Sequence, residues 1–181
     1  SIRSYIGAQC ETLHQLSQHN AGAIAASTLF FDLAHLCLYW HKLDIRELKT
    51  NKWFRKEIEN TYQHFVHSMN MLSRDSSQSP FSNISINDKV KIRKVVLEMS
   101  HMFPFDKLPI NEPTGIFTEE ERSDFYLTYI VDYINELQEI FLDFFDKGAP
   151  MLNGAQYRFP VATLAISKHR NKKTCEWEPS D

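Results

Sequence analysis

The sequence predicts an all-α fold, a single-domain helical bundle of about five main helices. Three observations support this expectation. Apolar residues recur at helical spacing along most of the 181 residues, the chain carries only five glycines, and an aromatic set of 13 Phe, 7 Tyr and 3 Trp supplies bulk for one core. At 43% hydrophobic and 24% charged residues, the composition is that of an ordinary folded domain and excludes disorder, collagen and a disulfide-framed mini-protein.

The elements follow in order. Ile2, Ile6, Cys10, Leu13 and Leu16 define a first helix over residues 2–19, and Asn20-Ala21-Gly22 predicts a break after it. The stretch from Ala21 to Trp40 has the length of a membrane span, but Asp32 and His35 stand near its middle, where a carboxylate costs roughly 3 kcal/mol. At about 100° per residue, Thr28, Asp32, His35, Tyr39 and Lys42 form one polar stripe on an otherwise apolar cylinder. This predicts the central helix of a water-soluble bundle.

Asp44-Ile45-Arg46-Glu47 has the form of a capping box and predicts a short helical turn. Trp53, Phe54, Ile58, Tyr62, Phe65, Val66, Met69 and Leu72 share one side of a third helix over residues 51–72. The Ser-rich stretch from Ser73 to Ser85 is expected to be a mobile loop. A fourth helix starts near Asn87 and is stopped by Pro104. After an irregular Pro-rich connection, Thr118 and Glu121 form a second capping box, opening the longest helix, which runs to Asp146 and ends at Lys147-Gly148. Asn153-Gly154 marks a turn. Residues 155–166 then form either a short last helix opened by Pro160 or a strand of a small hairpin, and the sequence leaves this open. The bundle domain is expected over 1–166, with a basic C-terminal tail over 167–181.

The net charge of -3 is unevenly spread, with nine acids against Arg122 alone between Glu119 and Asp146. Cys10, Cys37 and Cys175 show no ligand or disulfide spacing, which points to a reducing, cytoplasmic compartment. The opening residues carry neither Met nor a secretory leader, as expected of a domain excised from a longer chain.

Four groups of residues are candidate sites. Asp32 and His35, at i and i+3, could pair as an acid-base or ligand-binding couple; a polar seam that bonds its own neighbours is the simpler reading. His64 and His67 have metal-binding spacing, but their helical angle leaves them on the solvent side, without a third ligand nearby in sequence. Asp132, Glu136, Glu139 and Asp143 form an acidic stripe that needs water, a cation or basic groups opposite it. Lys168, Arg170, Lys172 and Lys173 form a basic cluster suited to phosphates or an anionic surface.

No Gly-rich phosphate loop, nucleophile elbow or zinc-protease motif is present. The leading expectation is therefore a non-enzymatic interaction module that binds another protein through its charged helix face or a groove. The alternatives are a helical enzyme or carrier with a metal, haem or small-molecule pocket around Asp32 and His35, and a binder of anionic membrane lipid through the tail. Nucleic acid is not expected as a partner, and neither a cofactor nor a metal is called for.

Overall fold

The computed structural model describes residues 1–19, 23–71, 81–111, 114–115, 118–148, 156–170 and 177–179. The expected break at 20–22, the Asn153-Gly154 turn, Cys175, Lys172, Lys173 and most of the Ser-rich stretch lie outside these residues. Six α-helices are described: α1 (Ile2–His19), α2 (Leu29–His35), α3 (Ile45–Thr50), α4 (Lys52–Asn70), α5 (Lys89–Glu98) and α6 (Glu119–Asp146). Both predicted capping boxes form. Asp44 and Glu47 close the start of α3, and Thr118 and Glu121 close the start of α6.

The all-α expectation is wrong, because the chain also builds a parallel sheet and is an α/β protein. Strands β1 (Ile24–Ala26), β2 (Ser82–Asn87) and β3 (Val161–Ala165) lie in the order β1-β2-β3, all parallel. Parallel neighbours need long crossovers, and the helices supply them: α2, α3 and α4 join β1 to β2, and α5 and α6 join β2 to β3. A separate antiparallel pair joins β4 (Lys168–Arg170) to β5 (Trp177–Pro179).

The first strand was hidden inside the predicted central helix. Its Ile-Ala-Ala has good helical propensity, but pairing of Ile24 with Ser82 and Ala26 with Ile84 outweighs that small preference. The helix starts only at Leu29, after Ser27-Thr28, and His35 leads into a π-helical turn (Leu36–Trp40). The chain then leaves through Lys42, at φ 54°, while Leu43 N donates to Cys37 O at 3.1 Å. Helix α5 stops short of Pro104. A proline clashes with the carbonyl four residues before it, so the chain passes through a 3₁₀ turn (Ser100–Met102) instead.

The core lies between the sheet and the helices. Ile84 and Ile86 enter it from β2, Phe30, Phe31 and Leu33 from α2, Ile58, Tyr62 and Phe65 from α4, and Ile134, Leu137 and Phe141 from α6. Phe30, Tyr62 and Phe141 meet edge to face with centroids 5.2–6.1 Å apart, the favoured geometry for aromatic pairs. No described helix is long and apolar enough to cross a membrane.

Candidate active-site face

Strand β2 reads Ser-Asn-Ile-Ser-Ile-Asn, and side chains along a strand alternate between faces. Ser82, Ile84 and Ile86 are buried against the helices, whereas Asn83 and Ser85 are only half-buried on the other face. The parallel register sets Asn83 beside Val161 and Ser85 beside Thr163. Thr163 is exposed, and its Oγ1 donates to Asn83 Oδ1 at 2.9 Å. That bond turns the Asn83 amide so that its Nδ2 remains a donor. The result is a small patch of hydroxyl and amide groups, none of which titrates, suited to holding and orienting a polar, oxygen-rich ligand.

Three clamps fix this face. Gln138, buried on α6, acts as a backbone surrogate at the end of β2: its Oε1 accepts from Asn87 N at 2.9 Å and its Nε2 donates to Asn87 O at 2.8 Å. Asn70, at the end of α4, accepts from Arg158 N and Phe159 N at 3.2 Å and so aligns the entry to β3. Asp88 ties the ends of β2 and β3 together. It caps α5 by accepting from Lys91 N at 2.8 Å, and it also accepts from Ser167 Oγ at 2.9 Å and from Ser167 N.

Burial opposes the Asp88 charge, but these three hydrogen bonds together hold its carboxyl below the usual carboxylate range. A depressed folded-state pKa contributes stability above the unfolded value of about 3.9 and loses it as pH falls through the folded value. Acid denaturation followed by circular dichroism should therefore show a loss of stability below about pH 4 that is shallower in Asp88→Asn. Identical acid profiles for the two proteins would remove this role from Asp88.

The structure does not bring the predicted pair Asp32 and His35 together. Asp32 Oδ2 accepts from Tyr5 Oη at 2.6 Å and from Thr28 Oγ1 at 2.9 Å, while His35 Nδ1 contacts Met102 O at 2.6 Å. Burial, reinforced by the Asp32 carboxylate, keeps the Tyr5 phenol protonated. The stripe therefore knits α1, α2 and the 3₁₀ turn to one another. His64 and His67 are exposed, and among the described residues no group of three or more His, Cys, Asp and Glu could hold a metal. Burial pushes the Cys37 thiol up to about 12, far from a neutral-pH nucleophile.

The acidic stripe finds its basic groups within the chain. Asp132 meets Lys89 at 2.8 Å, Glu136 meets Lys49 at 3.3 Å and Arg55 at 3.8 Å, and Asp143 meets Arg55 at 3.0 Å. Glu139 accepts from Asn135 at 2.6 Å. The stripe thus holds α3, α4 and α5 against α6. In the basic cluster, Lys168 is exposed on β4, which also carries the backbone of Arg170.

The sequence reading missed Asn83, Ser85 and Thr163. Period-two alternation over 82–87 with two isoleucines, and the β-branched Val161 and Thr163, were the available signals.

The anaerobic ribonucleoside-triphosphate reductase family model matches residues 1–180. A crystal structure of the anaerobic ribonucleotide reductase from Thermotoga maritima, with dATP bound in the specificity site, is similar at 17% identity and a TM-score of 0.57, covering 92% of this chain and 24% of that one. A second crystal structure of that enzyme, with citrate in the active site, is similar at 18% identity and a TM-score of 0.57, covering 92% of this chain and 25% of that one. This chain thus spans about a quarter of the length of the structures it matches. A comparison with curated proteins gives no match. The expectation of a non-enzymatic, protein-binding adaptor is overturned by these matches, which lie among enzymes, and the acidic face that motivated it is occupied by the chain's own cations. A family pattern running from residue 1 to residue 180 shows that this chain belongs to the anaerobic ribonucleoside-triphosphate reductase family.

Proposed function

We propose that this chain supplies one wall of the substrate cavity of a ribonucleotide-reducing enzyme, and that Asn83, Ser85 and Thr163 contact the hydroxyls or phosphates of a ribonucleoside triphosphate. The observation that carries this reading is the polar second face of the sheet. Parallel sheets are as a rule covered on both faces by apolar packing, yet here one face presents an amide and two hydroxyls. Such groups recognise oxygen-rich ligands, and the Thermotoga maritima enzyme takes citrate, a molecule of that kind, in its active site. The chain's role is to bind and orient. A reducing, cytoplasmic setting accords with Cys10 and Cys37 as free thiols.

The test is steady-state ribonucleotide reduction by the protein that carries this chain. Ser85→Val and Thr163→Val each leave a substrate polar atom without its partner, worth about 1–3 kcal/mol, so kcat/KM should fall roughly 10- to 100-fold. Wild-type kinetics in both variants would refute the assignment.

A further inference from the structure

Helix α4 ends on Asn70, and both polar atoms of that side chain are committed to backbone. Its Nδ2 donates to Val66 O at 2.7 Å, one turn back, which fixes the plane of the amide. The same Nδ2 donates to Phe159 O, while Oδ1 accepts from Phe159 N and Arg158 N, both at 3.2 Å. Asn70 thus grips the N–H and the C=O of Phe159 together, as Gln138 grips those of Asn87. The place of this grip matters. Pro160 follows Phe159 and has no N–H to donate, and the ladder to β2 begins with Val161 beside Asn83. Just ahead of that pairing Asn70 holds the Phe159 backbone, and the Phe159 ring meets Phe81, at the approach to β2, edge-on at 5.3 Å. One side chain on the helix that precedes β2 therefore sets where β3 begins.

We propose that Asn70 is a positioning residue for substrate binding, which places β3 along β2 so that Thr163 orients the Asn83 amide. This rests on the reading of Asn83, Ser85 and Thr163 as substrate contacts. Thr163 Oγ1 donates to Asn83 Oδ1 at 2.9 Å, and such a bond is lost by about 3.6 Å, so a slide of roughly 0.7 Å between the strands releases it. An Asn83 amide without that bond turns over freely and offers the ligand its oxygen as readily as its nitrogen. The donor is then in place only part of the time. Substrate binding weakens, while the reacting groups themselves are untouched.

The experiment measures KM and kcat of ribonucleotide reduction for Asn70→Ala, Thr163→Val and the double variant, in the protein that carries this chain. Asn70→Ala should raise KM about tenfold and leave kcat within about twofold, because binding is lost and the active fraction is not. Asn70→Ser, whose short hydroxyl still reaches Val66 O but not Phe159, should raise KM by a similar factor and decides the matter if the alanine variant does not fold. Since Asn70 acts through the Thr163–Asn83 bond, KM of the double variant should exceed that of the worse single variant by no more than about twofold. A fall in kcat at unchanged KM would make Asn70 a merely structural residue and overturn the proposal. So would effects that multiply in the double variant. Unchanged KM in both Asn70 variants, with KM raised in Thr163→Val, would overturn the role of Asn70 and leave the substrate face standing. Wild-type kinetics in Thr163→Val and Ser85→Val would remove that face and the positioning role with it.

Discussion

Replacing Phe141 by alanine is expected to lower the stability of the chain by about 4 kcal/mol, the middle of the range for deleting a buried aromatic ring. For a protein of this length that corresponds to a fall in Tm of roughly 8–16 °C. Phe141 is fully buried on α6, with its ring edge-on to Phe30 of α2 at 5.6 Å and to Tyr62 of α4 at 5.2 Å, and stacked with Phe145 at 5.4 Å. Neither crossover can close the cavity alone, because α2 and α4 belong to the β1–β2 crossover and α6 to the β2–β3 crossover. Urea unfolding should show a shifted midpoint with an unchanged slope. As a reference, Phe125→Ala, at a position 41% exposed on the same helix, should stay within about 0.5 kcal/mol of the parent. Equal effects at the two positions would mean that the crossovers do not share one core.

The helices were legible in the sequence because their signals are local. Periodicity and caps placed α1 at residues 2–19 and α6 at 119–146, as observed. β3 (Val161–Ala165) falls within residues 155–166, where a strand was one of the two open readings, but β1 and β2 were not legible, and the reason is physical. β1 is three residues of Ile-Ala-Ala, which carry no strand signal of their own and become a strand only because β2, more than fifty residues away in the chain, pairs with them. β2 follows a serine-rich run whose composition reads as loop, so the Ile84/Ile86 alternation was absorbed into that loop and the start of α5. The candidate site inherits this blindness, since Asn83, Ser85 and Thr163 converge only through the β2–β3 register. The acidic stripe was visible as a pattern, but the Lys49, Arg55 and Lys89 that neutralise it lie on other helices, a relation no local window contains.

Gln138→Met is the sharpest test of how the helical layer controls the sheet. Methionine preserves most of the volume, so the change removes the hydrogen bonds and little packing. Both Asn87 N–H and Asn87 C=O would then be buried without partners, at a cost of about 1–3 kcal/mol each, so a loss of roughly 3 kcal/mol in total is expected. Gln138 is 2% exposed and Asn87 7%, so bulk water reaches neither group freely. The disturbance should also travel in a defined direction. Asn87 directly precedes Asp88, whose bonds to Lys91 and Ser167 hold the end of β3, so amide hydrogen exchange at Asn87 and Ser167 should accelerate before that of the α1 amides. If the variant were as stable as the parent with the same exchange pattern, Gln138 would be a bystander. The register that sets Ser85 beside Thr163 would then be maintained by the β2–β3 ladder alone.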